Sequence, residues 1–503
     1  MGKLVLILFT LATFCSAQNL EYPPLGINLS GIAYWSTEHA FKDLMKYSSR
    51  WRAQRIDDKK FTWDNPLPAM DENGYPLEIG KENIFLETFV LSTAKRKHLG
   101  DKMIVLYDGK GKIDYWGGWT PIERKTGRDV VKLEENGPLV LRIHETDKND
   151  HLRNIRIVEE KYENSFERNP FRDEFLNRWA DMKAIRFMDW MKTNNSSISR
   201  WEDRPKPKDR TYSEKGVPLE IMIDLCNRLK ILPWFCMPHT ADDDYIRNFA
   251  EIVKKKLNPE LKVYVEYSNE VWNGIFSQSQ YARVAGTNLK LSENPFQAQL
   301  FYYSKRSAEI FRIWEGILGR ERIIKVLASQ SANPWVSQQI LEFNENYKIC
   351  DALAIAPYFG HSYGNPQTQS KVENMTKDEI FSELPKEIEK IMDTVKKHSE
   401  LCRKYNLKLI AYEGGQHFVG FGGAENNQKL MELFFSLNRD KRMEDIYRMY
   451  LEKWKQTGGE LFVLFSSMCA PSKWGSWGLL EYEGQNIEES PKFKAIKTKG
   501  VNS

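Results

Sequence analysis

Two glutamates, each closing an apolar run, are the residues whose type and placement could do chemistry. Val263-Tyr264-Val265-Glu266-Tyr267-Ser268-Asn269-Glu270 reads as a β-strand, and its period of two puts Tyr264, Glu266, Ser268 and Glu270 on one face. Leu409-Ile410-Ala411-Tyr412-Glu413-Gly414-Gly415 repeats the arrangement: an apolar strand ends in a carboxylate, and glycines let the chain turn closely beside it. One glutamate at a strand end is more often a surface charge or a salt-bridge partner. Two of them, each behind a strong strand, suit the cleavage of a glycosidic bond. There one carboxylic acid protonates the departing oxygen, and one carboxylate attacks the anomeric carbon or activates water at it.

Such a pair works only if the fold brings both strand ends together. The chain alternates short β-branched or apolar runs with helical stretches, which points to a parallel α/β architecture. The runs cover 25–30, 184–190, 232–239, 262–270, 324–331, 352–359, 407–416 and 461–468. Segments with apolar spacing of three to four lie between most of them, at 218–229, 243–256, 294–316 and 382–405. Eight strand–helix units closing on themselves predict a (β/α)8 TIM barrel, with the fourth and seventh strands delivering Glu270 and Glu413 to its C-terminal mouth. A doubly wound open sheet would need a Gly-rich fingerprint after the first strand, and none is present.

One interval breaks the rhythm. Between the first and second runs, segments 104–107, 130–133, 139–144 and 155–159 read as further strands separated by Gly, Asn and Asp turns. The expected organisation is a signal peptide at 1–17, a barrel from 18–59 and 161–503, and an inserted β-rich subdomain at 60–160. Glycan binding and plain packing are both open to that insertion.

The Asn269-Glu270 dyad closing strand four and Glu413 closing strand seven resemble the motif of a large clan of retaining β/α-barrel glycosidases, which includes the family-five cellulases and mannanases. Glu266 falls where that clan often has a glutamate inside the strand. The resemblance covers roughly 22–50 and 170–500 and leaves out the insertion. It implies Glu270 as acid/base, Asn269 as the grip on the sugar's 2-hydroxyl and Glu413 as nucleophile, with no metal or organic cofactor.

It also implies supporting roles. Arg186 resembles the arginine that holds the nucleophile ionised, and a barrel ion pair with Glu266 is the equal alternative. Tyr358 resembles the tyrosine that hydrogen-bonds the nucleophile, and His239 the site histidine after strand three. Trp474 and Trp477 both stand where the clan stacks an aromatic on the sugar. Trp35, Trp190, Trp272 and Trp335 could extend a stacking cleft or could pack in core and rim. Val271 stands where family five commonly has proline, and Ala356 replaces the histidine of a His-x-Tyr pattern, so the resemblance is to a divergent branch.

The remaining features set the compartment and the partners. Met1-Gly2-Lys3, a short apolar stretch and Cys15-Ser16-Ala17 form a signal-peptide pattern with cleavage expected after Ala17, hence a secreted protein. No other segment is long and apolar enough to span a membrane. The 73 basic and 69 acidic residues are intermixed, which disfavours nucleic acid as a partner. A carbohydrate, a β-linked glycan in particular, is the expected partner.

Cys-x-x-Cys and His/Cys clusters are absent, against a structural zinc. Of Cys226, Cys236, Cys350, Cys402 and Cys469, the pair Cys350–Cys402 is the expected disulfide. Asn194, Asn195 and Asn374 open sequons suited to glycosylation, whereas Asn28 sits in a strand end and is expected to stay unmodified. Two other functions share these residues: a non-catalytic glycan-binding or matrix protein on the same barrel, and a transglycosylase.

Overall fold

A computed structural model describes residues 22–55, 65–79, 84–92 and 96–497. The signal segment expected at 1–17 lies outside them. Eight parallel strands form a closed barrel: β1 (Leu25–Asn28), β2 (Ala184–Arg186), β3 (Leu232–Met237), β4 (Val263–Tyr267), β5 (Ile323–Ala328), β6 (Ala352–Ile355), β7 (Lys408–Ala411) and β8 (Gly459–Phe465). Each pairs with the next, and closure comes from β8 against β1, with Leu25 opposite Phe462 and Asn28 opposite Phe465. All eight predicted runs thus become barrel strands.

Alternation decides what fills the middle. Trp234, Cys236, Val326, Ala354, Ile410, Tyr412 and Val463 form one buried cluster inside the barrel, with Tyr264 stacked on Trp234 at 4.9 Å. The residues between them, such as Phe235, Val265, Leu327 and Leu409, pack outward against the helices. Those helices start on side-chain caps that satisfy the free amides of the first turn. Asp242 accepts from Tyr245 N ahead of Asp243–Lys256, and Thr376 with Glu379 forms a capping box ahead of Lys377–Tyr405.

The interval between β1 and β2 folds into two four-stranded antiparallel sheets. One runs in the order Arg52–Arg55, Ile84–Leu91, Leu139–Thr146, Gly111–Gly117, and the other Trp119–Lys125, Arg128–Leu133, Lys102–Asp108, Arg153–Glu159. The four strands predicted there are present, and four more join them. The sheets are tied to the chain on either side of them. Asp43 Oδ1 accepts from Ile157 N at 2.9 Å, Tyr34 stacks on Phe89 at 5.3 Å, and buried Arg172 pairs with Glu159.

Two expectations fare differently. The Cys350–Cys402 bridge is not formed: among the described residues Cys226, Cys236, Cys350, Cys402 and Cys469 all carry free thiols, the first four buried. Asn28 is buried and its Nδ2 donates to the carbonyls of Tyr412 and Leu464, which leaves no room for a glycan. No described helix is long and apolar enough to cross a membrane.

Candidate active site

The backbone leaves the strand just before the residues that matter. β4 stops at Tyr267, and Ser268 (φ +59°) and Glu270 (φ +42°) adopt left-handed conformations that side chains other than glycine's disfavour. The alternation expected to run through Glu270 therefore ends at Glu266. Surrounding bonds hold the turn: Ser268 N donates to Met237 O at 2.8 Å, and Gln278 Nε2 donates to Asn269 O at 2.8 Å. Strain maintained this way is a feature of functional sites. On β7, a Cβ at Gly414 would lie 2.2 Å from the Phe462 ring, and Gly415 sits at φ +139°. The glycines after Glu413 are thus demanded by both space and conformation.

Arg186 organises the floor. A guanidinium carries five N–H donors, and all five are used. Nε donates to Glu266 Oε2 at 3.0 Å. Nη2 donates to Glu266 Oε1 at 3.1 Å and to Asn269 Oδ1 at 2.8 Å. Nη1 donates to Asn28 Oδ1 at 3.2 Å and to Glu413 Oε1 at 2.9 Å. The two alternatives for Arg186, a bond to Glu413 or an ion pair with Glu266, hold at once. The guanidinium lies 5.0 Å from the Tyr412 ring and 5.6 Å from Trp234, a favourable placement for a desolvated cation.

The two glutamates sit in different settings. Glu413 is buried, receiving the charged Arg186 on Oε1 and the Tyr358 hydroxyl on Oε2 at 2.9 Å. Glu270 is half-buried and has only neutral donors, Tyr412 Oη to Oε1 at 2.9 Å and Asn273 Nδ2 to Oε2 at 2.8 Å. Burial raises both carboxyls above the ordinary range, and the charge on Glu270 raises Glu413 further. Arg186 and Tyr358 oppose that at Glu413 by stabilising its ionised form. At Glu270 the bonds from Asn273 and Tyr412 oppose burial, and the Arg186 charge adds to them without a bond of its own. Glu413 thus has a charged donor on its carboxylate, and Glu270 has none.

The remaining candidates separate by position. Trp477 meets the Tyr358 ring edge-on at 5.7 Å, the His417 ring at 5.0 Å and Phe465 at 5.6 Å, so of the two tryptophans after β8 it is the one that touches the tyrosine bonded to Glu413. Trp474 and Trp35 are 64% and 63% exposed, and both line a cavity of about 1100 Å³ bounded by the loops after β1, β2 and β8. Trp190 is buried and stacked with Phe175, in the core rather than the cleft. Trp335 stacks on Phe296 outside the cavity lining. His239 is buried beneath Tyr281, its Nδ1 without a partner, and makes no hydrogen bond to either glutamate.

Several residues joined here were not singled out from sequence. Tyr412 and Asn273 hold Glu270, and Trp234 Nε1 donates to Glu266 at 2.8 Å. Asn194 Oδ1 accepts from Asn269 Nδ2 at 2.9 Å and from Gln278 Nε2 at 2.8 Å. This sequon asparagine is thus part of the site wall. For Tyr412 and Trp234 a signal existed, since both fall on the inward face of their strands.

No protein-family model and no curated protein matches the sequence. Among solved structures, the chain is similar to a GH5-4 broad specificity endoglucanase from Clostridium acetobutylicum, at 8% identity and a TM-score of 0.36, covering 64% of this chain and 88% of that one. It is similar also to a β-glucosidase from Thermotoga maritima, at 11% identity and a TM-score of 0.35 over 68% and 88%. A third is a modular endo-β-1,4-mannanase from Cellulomonas fimi, at 9% identity and a TM-score of 0.34 over 63% of both chains. These are distant likenesses of overall fold and assign no activity.

Proposed function

We propose that the chain is a retaining glycoside hydrolase acting on a β-linked glycan by double displacement. The observation that carries this reading is the unequal treatment of the two glutamates. Glu413 receives a charged and a hydroxyl donor, whereas Glu270 receives only neutral ones. That asymmetry separates a carboxylate suited to attack from a carboxylic acid suited to protonate. Glu413 attacks the anomeric carbon while Glu270 protonates the departing oxygen. Glu270 then takes a proton from the water that releases the sugar. Asn269, fixed by Arg186 and Asn194, faces the 2-hydroxyl, and Trp477 supplies the apolar wall.

The resemblance at Asn269-Glu270 and Glu413 supports the same roles, and the protein works outside the cell after cleavage near Ala17. Two experiments test the reading. The first incubates the purified protein with β-linked glucans, mannans, xylans and galactans and follows reducing ends. The anomeric configuration of the first product is then read by NMR. Hydrolysis with retention is expected; an inverted product, or no product from any glycan, overturns the proposal. The second sequences the N-terminus of protein recovered from culture medium, where an intact Met1 on protein confined to the cytosol would refute secretion.

A further inference from the structure

The cavity beside the glutamates contains a carboxyl that the mechanism above does not use. Asp189 lines it from the turn after β2, half-buried, and its carboxyl forms no hydrogen bond or ion pair with any described residue. Two further polar groups on that lining are, unlike Asp189, closed off from solvent as well as unpartnered. Thr193 is fully buried with Oγ1 unpartnered, and the buried Oγ1 of Thr37 is unpartnered as well. Buried polar atoms are nearly always paired, because an unmet hydrogen bond costs about 1–3 kcal/mol and a charge more. An unpaired carboxyl opening into a space walled by aromatic rings suits a ligand rich in hydroxyls.

The rest of the lining fits a sugar. Trp35, Trp474 and Trp477 offer aromatic surface, and Asn194 offers an amide already bonded to Asn269. Position fixes which part of the substrate enters. Glu270 serves the departing sugar, whereas Asn269 and Glu413 face the sugar that is attacked. The cavity reaches the site through Asn194 beside Asn269 and through Trp477 beside Tyr358. It therefore lies on the side of the sugar that stays with the enzyme.

Resting on the glycosidase reading, we infer that Asp189 is a specificity-determining residue. In this assignment its carboxylate accepts hydrogen bonds from adjacent ring hydroxyls of the retained portion of a neutral glycan lying between Trp35, Trp474 and Trp477. Carboxylates grip vicinal hydroxyls well because each oxygen accepts a charge-assisted bond. Aromatic walls cover its apolar face.

The test uses the full chain carrying Glu270→Gln, which stops turnover, and follows tryptophan fluorescence. It is titrated with β-linked pentasaccharides of gluco, manno, xylo and galacto configuration. At least one sugar is expected to bind. Adding Asp189→Ala is expected to weaken that sugar about tenfold or more, the size of a lost charge-assisted bond. Asp189→Asn, which keeps the shape and so guards against misfolding, is expected to do nearly the same. Asp114→Asn, on the inserted sheet, is the control and leaves binding within about twofold. A sugar lacking the contacted hydroxyl should bind the Asp189→Ala protein as the full sugar does.

Unchanged affinity in both Asp189 variants overturns the assignment, as does failure of every pentasaccharide to bind the parent. Hydrolysis by the unmutated protein is scored separately. Binding that depends on Asp189 without any hydrolysis would refute the glycosidase reading and leave the sugar site standing.

Discussion

Tyr358 donates its hydroxyl hydrogen to Oε2 of Glu413 at 2.9 Å, the oxygen that Arg186 leaves free. Each oxygen of that carboxylate is therefore held by one donor. Tyr358→Phe removes a hydrogen bond to a charged acceptor, worth about 1.5–3 kcal/mol, so kcat/KM should fall roughly 10- to 150-fold. The pH profile should respond too. A donor to the ionised form lowers a carboxyl's pKa, so its removal raises that of Glu413. The acid limb, which requires ionised Glu413, should move to higher pH. A variant with unchanged kcat/KM and an unmoved acid limb would show that this bond has no role.

Glu266→Gln should move the same limb the other way. Glu266 takes two of the five Arg186 donors, and both residues are fully buried. Removing the Glu266 charge leaves more of the positive field at Glu413 and favours its ionisation, so the acid limb shifts to lower pH. Stability should drop by about 3 kcal/mol, since a buried cation loses half its compensation. Urea unfolding read by fluorescence measures the second effect and a pH–rate profile the first. Opposite limb shifts in the Tyr358 and Glu266 variants are the decisive result.

In the proposed mechanism the basic limb belongs to Glu270. Asn273 Nδ2 donates to its Oε2 at 2.8 Å, a bond that stabilises the ionised form. In Asn273→Ala that support is gone and Glu270 holds its proton to higher pH. The basic limb should rise by less than about one pH unit, the equivalent of a neutral hydrogen bond of about 1 kcal/mol. The acid limb should stay in place. A shift of the acid limb instead would mean that Glu270 is the group that must be ionised.

The sequence carried the barrel because each strand is an apolar run long enough to be seen, and a parallel sheet buried on both faces makes such runs nearly continuous. It carried Glu270 and Glu413 because both end such runs. It did not carry the turn at Ser268 and Glu270, since left-handed backbone at non-glycine residues leaves no mark in residue type. Strict alternation would also have turned Glu413 away from the interior, on the face opposite Tyr412. It points inward because β7 ends at Ala411 and the chain bends there.

Within the insertion, Trp119–Lys125 stayed hidden because Pro121 reads as a strand breaker, which an edge strand tolerates. The choice between Trp474 and Trp477 depended on the loop after β8. There Gly475 at φ +123° turns Trp474 to solvent and Trp477 toward Tyr358. Asn194 read as a sequon because its bond to Asn269 spans 75 residues, a separation that no local pattern encodes.

The division of labour between the glutamates gives the sharpest prediction. Glu413→Ala removes the proposed nucleophile, so no glycosyl-enzyme should form. Azide, small enough to enter the space left by the side chain, can attack the anomeric carbon directly and give an azide product of inverted configuration. Glu270→Ala leaves the nucleophile in place. Substrates whose leaving group departs without a proton should still load the enzyme, while the water step slows for lack of a base. Azide needs no base, so it should speed turnover of that variant and give a product of retained configuration. Aryl glycosides of the sugar found active, with product configuration read by NMR, make the comparison. The same azide stereochemistry from both variants would show that the assigned roles are wrong, and unchanged hydrolysis in both would place the active site elsewhere.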